Sequence, residues 1–146
     1  MAALLPILVV LLAGIGLAIQ PPTNAALVKA SGSLWLGSLV SFAVGTIVLL
    51  GVWAATDRTM PAALKGAPGW AWLGGLYGAC FVAALAYAAP RLGLASTLTI
   101  TVAGQLGTAI LLDHFGLLGL KIEPVSPARI GGVVPVLAGV LLVRRG

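Results

Sequence analysis

Charge is what this sequence has least of. Among 146 residues there are eight Lys or Arg, three Asp or Glu and one His, and charged side chains make up 8% of the chain. An ordinary soluble domain carries about 25% charged residues, so a water-exposed surface could not be built from this composition. The hydrophobic share is 60% and the mean hydropathy is +1.15. Because the apolar runs are continuous and do not alternate with polar residues, the sequence predicts an all-α integral membrane protein.

The sequence is also poor in reactive side chains. A single cysteine, Cys80, excludes a disulfide within the chain and has no partner for a metal site. No nucleophile with a base beside it and no phosphate-binding loop is present, so we predict neither an enzyme nor a cofactor or metal site. Despite the net charge of +5, the basic residues lie between apolar runs, where they anchor membrane spans. A nucleic-acid partner is therefore not expected.

Charged residues divide the chain into five apolar runs, which are residues 1–28, 30–56, 66–90, 92–112 and 130–143. A helix needs about 20 residues to cross a hydrocarbon core of about 30 Å. The first four runs are long enough, and the fifth becomes so if it starts near Pro127 and if Arg129 and Arg144 snorkel outward. We predict a single membrane domain with five transmembrane helices at about residues 3–28, 33–55, 68–89, 93–114 and 127–143. No basic segment precedes the first run, so we expect an uncleaved first span.

Two prolines and two amides lie near the end of the first run, in the stretch Ile19–Leu27. Pro21 and Pro22 each remove a backbone donor and clash with the preceding turn, which predicts a broken or kinked helix. In lipid such a break is tolerated where it is buried in protein or lines a wet cavity. Gln20 and Asn24 are four residues apart and share one helix face. We interpret them either as substrate-binding amides at a cavity or as groups that bond neighbouring helices.

The fourth span carries a second polar face. Thr97, Thr101, Gln105 and Thr108 follow one another at helical spacing and form a stripe. This stripe could face Gln20 and Asn24 across a cavity and bind substrate; alternatively, the threonine hydroxyls bond carbonyls of their own helix. Further candidates for the cavity lining, with packing or interfacial anchoring as the alternative, are Tyr77, Ser41, Tyr87, Trp35 and Thr46.

Asp113 and His114 close the fourth predicted span. An ionisable pair at a membrane boundary can relay protons, because histidine titrates near neutral pH, and we consider both residues for proton or ion coupling. The alternative is a hydrated helix end. No Asp, Glu, Lys or Arg lies inside the first four apolar runs.

The basic residues are divided evenly between the two predicted sides of the membrane. One side receives Lys29, Arg91, Arg144 and Arg145, and the other receives Arg58, Lys65, Lys121 and Arg129. The positive-inside rule then gives no preferred orientation. Copies inserted in both orientations can pair about a two-fold axis in the membrane plane, which is the inverted-repeat arrangement of many transporters. We predict an antiparallel, ten-helix homodimer; alternatively, the N-terminal ammonium or a paired chain decides the orientation.

Several segments, in their order along the chain, resemble one family. They are Leu17–Leu27 (LAIQPPTNAAL), Trp70–Gly78 (WAWLGGLYG), Pro90–Gly93 (PRLG), Val102–Gly107 (VAGQLG) and Leu111–Gly116 (LLDHFG). Together they resemble the short, five-helix inner-membrane exporter branch of the bacterial drug/metabolite transporter superfamily, over nearly the whole chain. The resemblance implies two five-helix repeats in opposite orientation in the bacterial inner membrane. Small multidrug exporters of this superfamily use a carboxylate in the first helix, where this chain has Gln20-Pro21-Pro22.

We therefore expect a small secondary transporter, an exporter or facilitator that works by alternating access. Its substrate would be a polar neutral, zwitterionic or small metabolite-like molecule bound through amides and hydroxyls. The expected partners are a second copy of the chain in opposite orientation, the lipid bilayer and that substrate. A dual-topology ion channel and a structural subunit of a membrane complex are the alternative hypotheses.

Overall fold

The structure, a computed structural model, describes the backbone of residues 4–145 and the side chains of residues 4–143. Within that range there are five α-helices, labelled α1 to α5 in chain order: Leu4–Ser31, Leu34–Thr56, Gly74–Leu92, Leu94–Phe115 and Pro127–Arg145. Short 3-10 turns at Pro61–Leu64 and Gly69–Leu73 lead into α3, and another at Leu117–Gly119 follows α4. The chain divides into two compact units, Met1–Arg91 and Leu92–Gly146, which are described in turn.

The helices are apolar, and most of their large side chains are exposed. Four helical segments of the described chain are long and apolar enough to cross a membrane, namely Leu4–Ser31, Leu34–Thr56, Gly69–Leu92 and Leu94–Phe115, and the apolar helix Pro127–Val143 is shorter. The all-helical prediction is confirmed, while the number of helices that cross the membrane stays a prediction. Ala3, where the first predicted span begins, lies outside the described residues. Exposed side chains such as Leu49, 71% accessible, suit a lipid environment.

In the first unit, α1 and α2 form a close helical hairpin. Gly32 makes the turn with φ of +66°, and the hydroxyl of Ser33 accepts a hydrogen bond from the Leu36 N–H at 3.2 Å, as an N-cap does. The helices then approach at Gly37, where an added Cβ would lie 2.8 Å from the backbone nitrogen of Val28. Gly37 therefore sets the distance between α1 and α2 near the turn.

The two prolines do not interrupt α1, which runs as one helix from Leu4 to Ser31. Each proline removes the bond that its nitrogen would have donated to the carbonyl four residues before. The Thr23 hydroxyl adds one donor beside them, shared between the Gln20 carbonyl at 2.8 Å and the Ile19 carbonyl at 3.3 Å. Pro21 is fully buried. The predicted break is thus absent, because the chain keeps its helical path, with the Pro21 ring packed inside the protein and Pro22 exposed.

Helix α3 carries the buried hydrophobic residues of the described chain, which are Val82, Ala83, Leu85, Ala86 and Ala89. Four of them recur at helical spacing and so form one face. Helix α3 also meets α2 through an aromatic contact, because the Phe42 ring lies 3.5 Å from the position that a Cβ on Gly78 would occupy. At that distance a methyl group at position 78 would make an ordinary van der Waals contact with the ring, so the Phe42 side chain packs directly beside α3.

In the second unit, α4 and α5 form another hairpin. Helix α4 ends at Gly116, which adopts a left-handed conformation with φ of +59° and suits a residue without Cβ. The loop then returns along the helix end, where the Glu123 N–H donates to the Asp113 carbonyl at 2.8 Å. Helix α5 begins at Pro127, a favourable first helical position for proline, and the Ser126 hydroxyl accepts from the Arg129 N–H at 3.3 Å.

Candidate functional site

Gln20 and Asn24 lie on one face of α1 but in different surroundings. Asn24 is only 3% exposed, whereas Gln20 is half-buried. Val28, one turn beyond Asn24, packs against Gly37, so this face of α1 is the one turned toward α2. Of the two predicted amides, Asn24 is therefore packed inside the protein, whereas Gln20 stays accessible.

Gln20 and Ser41 line the same groove between α1 and α2. This polar groove has a volume of about 180 Å³ and is lined by Gln20, Ser41, Phe42, Gly45, Thr46 and Leu49. The Gln20 amide offers both donors and an acceptor, and the Ser41 hydroxyl can do either. Thr46 donates its proton to the Phe42 carbonyl at 2.8 Å and so offers the groove only an acceptor. No charged side chain lines the polar groove, which can therefore recognise neutral hydrogen-bonding groups.

A neighbouring groove between α2 and α3 has aromatic walls. This aromatic groove has a volume of about 290 Å³ and is lined by Trp35, Ser38, Leu39, Phe42 and Ala79. Ser38 is 7% exposed, and its hydroxyl oxygen is buried without a hydrogen-bond partner among the described residues. Our sequence reasoning missed Ser38. The available signal was a serine three residues before Ser41 in an otherwise apolar helix.

A third groove joins the ends of α1 and α3 and carries two basic residues. This basic groove, about 510 Å³ in volume, has Lys29 and Arg91 on its wall together with Tyr87. The Arg91 guanidinium lies 3.7 Å from the centre of the Tyr87 ring, a cation–π contact. Lys29 and Arg91 were predicted on the same side of the membrane, and their meeting in one groove agrees with that assignment.

The stripe on α4 contains both hydrogen-bonded and exposed members. Thr97, only 4% exposed, donates to the Gly93 carbonyl, and Thr101 donates to the Thr97 carbonyl, both at 2.8 Å. These bonds match the alternative interpretation of the stripe, in which the threonine hydroxyls bond carbonyls of their own helix. Each hydroxyl oxygen can still accept a hydrogen bond. Gln105 and Thr108 are exposed. The stripe belongs to the second unit and Gln20 to the first, and the prediction that they share one cavity stays a prediction.

Tyr77, another predicted cavity residue, is 63% exposed on α3. It lies outside the polar, aromatic and basic grooves. Its role in substrate binding stays a prediction.

Asp113 and His114 take part in a network at the end of α4. Arg129 pairs with the Asp113 carboxylate at 3.3 Å and also with the Glu123 carboxylate. The His114 Nδ1 atom accepts a hydrogen bond from the Val125 N–H at 3.2 Å, which requires that nitrogen to carry no proton. The geometry therefore gives both residues a part in closing the α4–α5 loop. Their predicted coupling role stays a prediction.

Among residues 4–145, no three His, Cys, Asp or Glu side chains are arranged as a metal site would require. Asp57, the one acidic residue outside the network at the end of α4, accepts a hydrogen bond from the Thr59 hydroxyl just after α2. The polar, aromatic and basic grooves offer one amide, hydroxyls, aromatic rings and two basic residues for recognition.

Comparison with known proteins gives one result. The model of the family described as "Putative inner membrane exporter, YdcZ", a family of the drug/metabolite transporter type, matches residues 5–142. A search among curated proteins and a search among solved structures found no match. The match extends over almost the entire chain and confirms the resemblance that the sequence motifs indicated.

Proposed function

The chain belongs to the YdcZ family of inner membrane exporters, and from this membership we propose that it is one half of a secondary transporter. In the proposal, a second copy in opposite orientation supplies the other half. The pair carries a small polar, neutral or zwitterionic substrate across the membrane by alternating access. An exporter is not an enzyme class, and no reaction is proposed.

The proposed class of substrate is based on the residues that line the polar groove. In it, Gln20 and Ser41 present neutral donors and acceptors within helices whose other residues are largely apolar. Polar groups in a membrane span are costly unless they have partners, so an accessible amide there needs a ligand, water or another chain. The absence of a charged side chain from the groove wall favours an uncharged or internally balanced substrate.

The exposed polar residues of α4 support the second copy. Gln105 and Thr108 are exposed in the single chain, on a helix apolar enough to cross a membrane. Facing lipid, the Gln105 amide would lose its hydrogen bonds to water at a cost of several kcal/mol. A second chain that covers this face, or closes a wet cavity over it, would remove that cost. The even division of basic residues favours a partner of opposite orientation.

Asp113 and His114 remain our candidates for proton or ion coupling. Because Asp113 is paired with Arg129, protonation of its carboxylate would weaken that ion pair and loosen the end of the α4–α5 hairpin. In this proposal the change of charge therefore acts on the loop between the two helices.

Transport by purified protein in liposomes tests the proposal. The liposomes are loaded with a mixture of amino acids, small polyols and urea, and efflux is followed by mass spectrometry. We expect efflux of a subset of these compounds that saturates with concentration. Gln20→Ala should reduce the rate at low concentration about tenfold, as loss of one well-placed hydrogen bond would, and Ser41→Ala should reduce it less.

Thr56→Ala is the matched control on α2, because the Thr56 hydroxyl bonds the Val52 carbonyl at the helix end and lies outside the polar groove. Full activity of Gln20→Ala would remove the polar groove from the mechanism. A large passive current without saturation would indicate a channel. No flux together with a stable foreign partner on purification would indicate a structural subunit.

A further inference from the structure

The aromatic groove is built almost entirely from one face of α2. Trp35, Ser38, Leu39 and Phe42 follow the helical repeat, and Ala79 of α3 forms the opposite wall. No charged residue lines it. The groove therefore offers apolar and aromatic contact with one polar position, Ser38.

Ser38 differs from the threonine hydroxyls of the same helix. Thr46 and Thr56 each donate to the carbonyl four residues before them, at 2.8 Å. The Ser38 hydroxyl is shielded from water and has no such partner within the described residues. A buried hydroxyl without a hydrogen bond costs free energy. Ser38 is also one of the residues that line the groove, so a side-chain rotation that turned its oxygen toward the groove would let it bond a molecule seated there.

From these features we infer that the aromatic groove is a subsite for a neutral aromatic ring that bears one hydrogen-bonding group, with Ser38 as its polar partner. The groove has a volume of about 290 Å³ and is open, since Trp35 and Leu39 on its wall are exposed. A dry cavity of about 150 Å³ accepts benzene, so this groove accommodates a fused pair of rings or a ring with a short extension.

Phe42 connects the aromatic groove with the polar groove, because this residue lines both. The ring is held against α3 at Gly78. A substrate with a polar end and an aromatic end would place the first on Gln20 and Ser41 and the second beside Ser38, with Phe42 between them. This extension to substrate class rests on the proposed transport function, whereas binding of a ring in the aromatic groove does not.

The test compares indole with 1-methylindole, which differs by a methyl group in place of the N–H donor. Binding to the full chain in detergent is measured as thermal stabilisation, read from the protein that survives heating on size exclusion. We expect half-saturation by indole at a concentration about two- to tenfold lower, the range for one neutral hydrogen bond. In Ser38→Ala this preference should disappear, and in Ser38→Thr it should be kept. Half-saturation is expressed as the free aqueous concentration of each probe, because 1-methylindole partitions into detergent more strongly than indole.

Ala79→Leu provides a second variant that keeps Ser38 and fills the aromatic groove from α3; it should weaken binding of both probes. Equal binding of the two probes to the unmodified chain, or an unchanged preference in Ser38→Ala, would remove Ser38 from the subsite. Failure of indole to stabilise the chain at all would overturn the subsite. Gln20→Ala should leave the indole preference intact, so loss of transport in that variant is distinguishable from loss of ring binding.

Discussion

At the scale of single residues, the structure separates glycines that the sequence treats alike. Small residues let helices approach each other closely in a membrane. At Gly37 they do so, since an added Cβ would meet both the backbone and the side chain of Val28 at 2.8 Å. At Gly14 and Gly51 nothing lies within 4 Å of the added atom. Neighbouring helices, and not the local sequence, distinguish these positions.

Gly37→Ala should lower the free energy of unfolding by about 1–3 kcal/mol, because the new methyl group must displace α1 from α2. Gly51→Ala, on the same helix, should be neutral or slightly stabilising, since alanine is the better helix former by about 0.5–1 kcal/mol. Thermal unfolding of both variants in detergent checks this. Equal stability of the two would show that α1 and α2 are not held together at Gly37.

At the scale of helices, one arginine links three parts of the second unit. Arg129, in the first turn of α5, pairs with Asp113 at the end of α4 and with Glu123 in the loop between the helices. The side chains of Arg129 and Asp113 are 33% and 36% exposed, so water screens the attraction in part. Such a network fixes the direction of α5 more than it adds to stability.

Arg129→Gln should destabilise the α4–α5 hairpin by about 1 kcal/mol at low salt, because it leaves both carboxylates unpaired. The loss should shrink in about 1 M NaCl, where the screening length falls to about 3 Å. Lys121→Gln, an exposed lysine of the same loop, removes the same charge and serves as the control. Thermal unfolding at the two salt concentrations measures both. A loss that does not depend on salt would assign the role of Arg129 to packing.

At the scale of the whole molecule, the division of charge and the exposed polar face of α4 lead to the same proposal. Four basic residues lie on each predicted side of the membrane, and Gln105 lies exposed on a helix suited to lipid. A partner of opposite orientation accounts for both features. It requires the chain to insert in both orientations, which an even division of basic residues allows, and it would cover the exposed polar face of α4. Neither feature alone requires such a partner.

Changing the charge balance should separate the two orientations. Replacing Lys65 and Lys121 by Gln leaves four basic residues on one predicted side and two on the other, and replacing Arg144 and Arg145 by Gln does the reverse. Because basic loops stay in the cytoplasm, we expect the two variants to insert in opposite orientations, as read by labelling of a terminal cysteine. Each should lose transport alone and recover it when both are expressed together.

Lys65→Arg with Lys121→Arg keeps the charges and is the control for that experiment. It should insert in both orientations and transport like the unmodified chain. Full transport by either charge-biased variant expressed alone would contradict the antiparallel pair. A single orientation of the unmodified chain would contradict it as well.

The sequence by itself determined the class of protein, the helices and the family. Long uncharged runs are a local property, and apolar side chains make a helix stable in lipid whatever its neighbours are, so each of the five apolar runs overlaps one of the helices α1 to α5. The N-cap at Ser33 is local in the same sense, because a cap needs only the residues beside it. The family followed from motifs in order along the chain, which the match over residues 5–142 confirmed.

Only the tertiary structure decided which helix each polar side chain meets. Helical spacing places Gln20 and Asn24 on one face, but the rotation and distance of the next helix leave Gln20 in a groove with Ser41 and bury Asn24. Ser38, which no sequence motif singled out, is likewise buried only in the folded chain, and the return of the loop pairs Asp113 with Arg129. Helical spacing in the sequence shows which residues share a face of one helix. Which other helix packs against that face depends on residues far along the chain.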